Sequence, residues 1–274
     1  TVAAALKKAL QVYAGLAKSD ADAGYAVDEI KGLMAKLPAG GYAPVSLEPD
    51  GWKAVVGDPE TRKAMKAKAL AKAQQEADAA MAKNWTATGG VLTGAADAGV
   101  IGSAKNYENF ELILEWKTEA EAGLGVRSIP QIALGGKNSG ALTGNRLHDN
   151  TSPKAAANSP REWNTMQVKV VSDRVTVLLN GITTAENVIL ENACNREIPA
   201  YAQGQLLLIA GKAPVSVREM YVRELPATPR FELSEEEAHE GFEVLFDGMS
   251  MHKWTGNTTN YVLSLIHISE PTRL

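Results

Sequence analysis

The sequence predicts a mainly β protein built as an antiparallel β-sandwich, and three observations carry that expectation. Val168 and Val170 alternate with Gln167 and Lys169, the period-two pattern of a strand with one wet face. Asn180-Gly181 follows the apolar run at 175–179, and Asn-Gly takes positive φ readily, which favours a tight hairpin turn. Further strand-like runs at 205–209 and 215–223 are separated by turn residues, with no helical period between them. Residues 162–225 are therefore expected to form at least four antiparallel strands, with Trp163, Val168, Val170, Val177 and Leu207 mostly buried.

The chain in order adds helices before the strands. Residues 2–18 place Leu6, Leu10, Tyr13 and Leu16 on one helical face, and residues 22–37 do the same with Tyr25, Ile30, Leu33, Met34 and Leu37. Residues 1–38 thus read as an α-helical hairpin. It resembles one unit of a HEAT-like solenoid, and a simple packed helical extension is the other reading. Residues 42–52 open the sandwich. Asp58-Pro59-Glu60 is a helix start, with Asp as cap, Pro at the first helical position and Glu in the first turn. This one long inserted helix should run to about Lys83, with a thin apolar stripe of Met65, Leu70 and Met81.

From Trp85 the period changes to two. Gly89-Gly90 marks a hairpin, and residues 110–117 place Phe110, Leu112, Leu114 and Trp116 on one face. Glu111, Ile113, Glu115 and Lys117 take the other. Residues 135–160 are rich in Gly, Asn, Ser, Pro and Ala and read as a long loop of the kind that carries binding groups. The sandwich should close near residue 226.

Composition sets outer bounds. The 274 residues are 45% hydrophobic and 22% charged, with a net charge of −4, so nothing points to nucleic acid or an anionic membrane surface. The single Cys194 excludes an internal disulfide and reads as a small half-buried thiol, since no histidine lies near it in sequence. No signal peptide and no apolar run long enough for a membrane span is present. The chain starts within helix-like sequence and reads as a fragment. Residues 241–262 repeat the opening pattern, with Leu245-Phe246-Asp247-Gly248 before Trp254-Thr255-Gly256, and read as the start of a truncated second sandwich. Residues 263–274 do not continue it. Residues 263–273 match the in-frame translation of a common transposase sequencing adapter, so His267 and Glu270 are given no role.

Several stretches together resemble the 3-keto-disaccharide hydrolase-like family, a concanavalin-like jelly roll that was formerly a domain of unknown function. They are Asn109-Phe110-Glu111-Leu112, Val126-Arg127 with Pro130-Gln131, Glu162-Trp163-Asn164, Arg174-Val175-Thr176-Val177 with Asn180-Gly181, and 220–225, together with the opening pattern at 245–256. The resemblance spans about 42–225. It implies an exported bacterial protein, secreted or periplasmic, acting on oxidised disaccharides or glycosides. It also implies a second sandwich domain in the same chain as an intramolecular partner. Three departures stand out. Ala122-Gly123-Leu124-Gly125 replaces a polar Asn/Asp-Ser-Gly-Ile stretch, Ala133 replaces a polar residue, and Ile209-Ala210-Gly211-Lys212 replaces Gln-x-His-Gly.

The chemistry that the resemblance implies is elimination. A ketone at C3 of a sugar acidifies the C2 proton, a base removes it, the C1 substituent leaves, and water adds back. Such a site needs a base and donors for the enolate. Glu115 is the base candidate, because the family carries an acidic residue at this position. Glu111 shares its face, but roughly 13 Å along the strand separates the two. That is too far for the pair of a retaining glycosidase, which stands about 5.5 Å apart. A solvated sheet face is the other reading of both. Arg127 and Gln131 are candidates to hold a sugar hydroxyl or enolate oxygen; an edge ion pair is the alternative. Asn145, His148 and Asp149 in the long loop are candidate substrate-binding residues. His148 with Asp149 reads as an acid–orienter pair, weak metal ligands or a plain exposed pair. No metal-ligand spacing or cofactor motif stands out. Trp163 reads as core or hairpin clamp rather than as a sugar platform. Two functions follow: a 3-keto-glycoside hydrolase or lyase, or a non-catalytic glycan-binding module beside an active second copy.

Overall fold

A computed structural model describes residues 41–145, 156–228 and 231–245, with helical pieces at 12–13, 23 and 26–27; for Pro130 and Gln131 it describes the backbone alone. Most of the expected hairpin at 1–38, His148 and Asp149, most of the second-copy stretch 241–262 and all of 263–274 lie outside the described residues.

In chain order the elements are β1 (Ala43–Pro44), β2 (Trp52–Ala54), α1 (Pro59–Ala64), α2 (Ala67–Asn84), β3 (Trp85–Thr88), β4 (Val91–Gly94), β5 (Val100–Tyr107) and β6 (Phe110–Thr118). They continue as β7 (Ala122–Val126), β8 (Ile129–Leu134), β9 (Asn164–Val171), β10 (Arg174–Leu179), β11 (Ile182–Ile189), β12 (Gly204–Ile209), β13 (Val215–Glu224) and α3 (Glu235–His239). Every named strand pair is antiparallel. The larger sheet has the order β11-β10-β9-β6-β13-β4-β3, with β1 also paired to β13; the smaller has the order β2-β5-β12-β7-β8. This is the jelly-roll sandwich that the sequence predicts.

The two sheets bury their inner faces against each other. Strand β6 alternates without a break: Phe110, Leu112, Leu114 and Trp116 are buried, and Glu111, Ile113, Glu115 and Lys117 turn outward. Val168 and Val170 on β9, Val177 on β10, and Leu206 and Leu208 on β12 join that core. The expected hairpins form. Asn180 and Gly181 adopt φ 51° and 80°, and Gly89 and Gly90 adopt 59° and 75°, the left-handed backbone that a two-residue turn between twisted strands requires.

Two differences matter for function. Asp58 caps α1 as expected, accepting from the amides of Glu60 and Thr61. Met65, however, takes extended backbone and splits the expected single helix into α1 and α2. The Arg62 guanidinium donates back to the carbonyls of Val56 and Gly57, which pins α1 to the preceding chain rather than to the axis of α2. The second difference is a bulge in β13. Arg218 pairs with Glu115 and Tyr221 with Ile113, so Glu219 and Met220 together oppose Leu114. The buried residues accordingly switch parity, from Val215 and Val217 to Met220 and Val222.

The turns at one end of the sandwich converge on Asn109, which is 2% exposed. Its Oδ1 accepts from Arg127 Nη2 (3.1 Å) and the Ser172 amide (2.9 Å). Its Nδ2 donates to the Pro226 carbonyl (2.8 Å) and the Thr228 hydroxyl (3.0 Å). Asn109→Ala removes all four bonds and strands buried partners, so it should cost about 3 kcal/mol. Chemical denaturation monitored by tryptophan fluorescence measures this; a loss below about 0.5 kcal/mol would show that the turns hold together without it.

Candidate functional site

The outer face of the larger sheet carries the charge. Glu115 on β6 accepts a hydrogen bond from Arg218 Nε on β13 at 2.6 Å. The Arg218 guanidinium in turn sits 4.0 Å from the centre of the Trp163 ring, and Lys117 Nζ lies 4.8 Å from the same ring. Trp163 is therefore neither core nor a bare platform: it is half-buried on the outer face and clamped by two cations. Further along, Glu111 accepts from the Tyr42 hydroxyl (2.9 Å) and from Arg223, with Lys169 Nζ 3.6 Å away.

Beside the β13 bulge this face dips into a trough of about 560 Å³. Ile113, Val91 and the side-chain-free Gly89-Gly90 turn meet Glu115, Thr165, Arg218, Glu219 and Tyr221 there. The concavity arises where two neighbours of β13 part. Strand β4 ends its pairing at Val217 with Leu92, and β1 begins its pairing at Tyr221 with Pro44. The Tyr221 hydroxyl donates to Glu219 Oε2 at 2.6 Å. Burial first, and then the Glu219 carboxylate, push that phenol up to about 12, so it remains a proton donor at neutral pH.

Of the residues expected at the site, the structure places Glu115 in this trough and, of those whose side chains are described, brings neither Arg127 nor Asn145 to it. Arg127 is neither at an open site nor in an edge ion pair. It is 2% exposed in the β7–β8 turn and donates to the carbonyls of Glu108 (2.7 Å), Ser172 (2.5 Å) and Tyr201 (3.4 Å) as well as to Asn109. Burial pushes its guanidinium down to about 10, against the pull of Glu108 and Asp173, and it stays charged at neutral pH. Its fork closes backbone turns, so it is not available to a sugar. Asn145 is likewise 2% exposed, and its Nδ2 donates to the Ile189 carbonyl at 2.7 Å, which anchors the loop after β8 to the edge strand β11. Gln131 lies in β8 with its side chain outside the described residues, as are His148 and Asp149 altogether. Cys194 is half-buried; burial first, and Asp58 next, raise its thiol pKa, which disfavours a thiolate. Among the described residues no cluster of His, Cys, Asp and Glu could hold a metal ion, and no helix is long and apolar enough to cross a membrane.

Arg218, Glu219 and Tyr221 were not singled out from the sequence. Their signal is the parity switch itself: Val215 and Val217 are odd and Met220 and Val222 even, which requires one extra residue between them.

Residues 47–223 match the 3-keto-alpha-glucoside-1,2-lyase-like domain family, and the chain belongs to that family of carbohydrate-active, glycosyl hydrolase-like domains. Solved structures similar to it include two candidate glycosyl hydrolases from Parabacteroides distasonis. They are 19% and 18% identical, with TM-scores of 0.46 and 0.47; each match covers 68% of this chain, and 100% and 94% of theirs. The carbohydrate-binding module CBM66 from Bacillus subtilis is 16% identical with a TM-score of 0.33, over 64% of this chain and 96% of its own. No curated protein matches the chain.

The departures from the family pattern converge in space. Gly123 on β7 pairs with Ala133 on β8 and with Ile209 on β12, so the three altered positions form one row across the smaller sheet. The core residues of these strands are Leu124, Ile132, Leu134, Leu206 and Leu208, which puts the row on the outer face. Leu207 faces the same way and is 3% exposed, and it lies across Gly125, where a Cβ would come within 2.7 Å of it. At Gly211 a Cβ would stand 1.6 Å from the Glu121 carbonyl oxygen, so no side chain fits there on this backbone.

Glu111 gives a pH-dependent prediction. Burial acts to raise its pKa, but the hydrogen bonds from Tyr42 and Arg223 and the charges of Arg223 and Lys169 outweigh it and hold the carboxyl below its ordinary 4.5. A carboxylate depressed by folding adds stability above its unfolded pKa and loses it as pH falls through the folded value. The melting temperature of the parent should therefore fall more steeply below pH 4.5 than that of Glu111→Gln. Parallel curves for the two proteins would remove Glu111 from the acid response.

Proposed function

We propose that this domain binds a glycoside of the class its family handles, a 3-keto-glycoside or a closely related sugar, and does not cleave it. The observation that carries this reading is the row Gly123, Ala133 and Ile209. Three positions that are polar in the family pattern are neighbours, and here they offer no proton donor, acceptor or base. Gly211 closes the fourth position by backbone contact. Elimination at a 3-keto sugar needs a base and an enolate donor, and the side chains of this row supply neither. On the opposite side of the sandwich Glu115 is engaged by Arg218, an arrangement suited to holding hydroxyl groups.

Cleavage of 3-keto-glycosides is the second reading, and Glu115 in the trough favours it, because a carboxylate beside a cation at a concave site is a candidate base. As part of the same proposal, the family resemblance supports an exported bacterial protein in which a second sandwich performs the turnover.

The test combines calorimetry with product analysis, using methyl 3-keto-α-glucoside. Saturable binding with no released methanol supports the binding module. Turnover by the parent that is lost in Glu115→Gln would establish the catalytic reading instead.

A further inference from the structure

We propose that the trough beside the β13 bulge is a carbohydrate subsite in which Glu219 and Arg218 hold adjacent hydroxyls of a neutral sugar; this rests on the glycan-binding reading above. The bulge makes the site. Without the extra residue, Glu219 would fall on the core face in the alternation of β13; with it, Arg218, Glu219 and Tyr221 all project outward. The arrangement carries strain. Glu219 has φ 49°, a left-handed backbone that a non-glycine residue holds at a cost of order 1 kcal/mol. The side chain is exposed, so no burial of its own offsets that cost. What the strain achieves is the placement of a carboxylate over a cavity, held there by the Tyr221 hydroxyl.

The lining suits a sugar ring. Ile113 and Val91 give an apolar floor for its C–H face, and the Gly89-Gly90 turn leaves one side open. Glu219 and Tyr221 are on one side, and Glu115, Arg218 and Thr165 are the other polar groups. A carboxylate accepts from two neighbouring hydroxyls, while a guanidinium donates to a hydroxyl or ring oxygen, so together they recognise a vicinal diol. Two carboxylates against one guanidinium leave the lining net negative, which selects a neutral sugar over a uronic acid. The volume of about 560 Å³ lies within the range of small-ligand sites.

Calorimetric titration of the full chain with methyl 3-keto-α-glucoside and with methyl α-glucoside tests this. Glu219→Gln and Arg218→Gln should each weaken binding at least tenfold. Tyr221→Phe, which keeps the ring, should weaken it by a smaller factor. Ile209→Thr, on the opposite outer face, should bind as the parent does, and methyl α-glucuronide should bind at least tenfold more weakly than the neutral probes. Unfolding midpoints confirm that each variant is folded; Tyr221→Phe decides the matter if either of the other two is not. Parent-like affinity in the folded trough variants overturns the subsite and leaves the glycan-binding reading standing. A parent that binds neither probe overturns both, and equal affinity for the glucuronide overturns the charge argument.

Discussion

The cluster of Arg127 and Asn109 is the constraint on which the end of the sandwich depends. A jelly roll passes its chain between two sheets through tight turns, and each turn leaves backbone carbonyls that must find donors when buried. Here one guanidinium serves the carbonyls of Glu108, Ser172 and Tyr201, which belong to three separate segments, and one amide ties it to a fourth at Pro226. Arginine suits this position because its rigid fork offers five donors and keeps its charge when desolvated. With four of its donors engaged by the protein and only 2% of its surface exposed, the side chain is closed to a ligand. The same residue that looks from the sequence like an anion or enolate holder is thus spent on the fold.

With that end fixed, the two outer faces diverge in character. The smaller sheet turns Gly123, Gly125, Ala133, Leu207 and Ile209 away from the core, a close-packed apolar row in which glycines accept the side chains of β12 and Leu207 and Ala133 are themselves buried. The larger sheet presents the ion pairs Glu111–Arg223 and Glu115–Arg218, the second beside a half-buried Trp163. Both pairs are partly buried, with the Glu111 and Glu115 side chains 17% and 27% exposed, and both join β6 to β13. The Glu115–Arg218 pair also lines the cavity beside the strained bulge, where the proposed subsite lies. On the proposed binding reading, catalysis and binding separate along this line, since the row Gly123, Ala133 and Ile209 offers no side-chain acid or base for an elimination.

Much of the fold was legible in the sequence. The unbroken alternation at 110–117 fixed which side of β6 meets the core, and Asn180-Gly181 and Gly89-Gly90 marked two hairpins by backbone preference alone. The site was legible only in part. Glu115 could be placed on the outer face by parity, but its partner Arg218 required knowing that β6 pairs with β13. The clustering of Gly123, Ala133 and Ile209 was invisible for the same reason: the residues lie on three strands, and register between distant strands is set by the whole sandwich. Arg127 was misplaced because sequence spacing does not reveal which carbonyls a turn leaves unpaired. The bulge was readable in principle, and a count of apolar parity along 215–223 would have found it.

A crystal structure of the chain soaked with methyl 3-keto-α-glucoside tests the account most directly. The account predicts an intact sugar seated over Ile113, with Glu219 and Arg218 at its hydroxyls and no density over Gly123, Ala133 and Ile209. A sugar bound on that second face, or one found cleaved at its C1 bond, would contradict it.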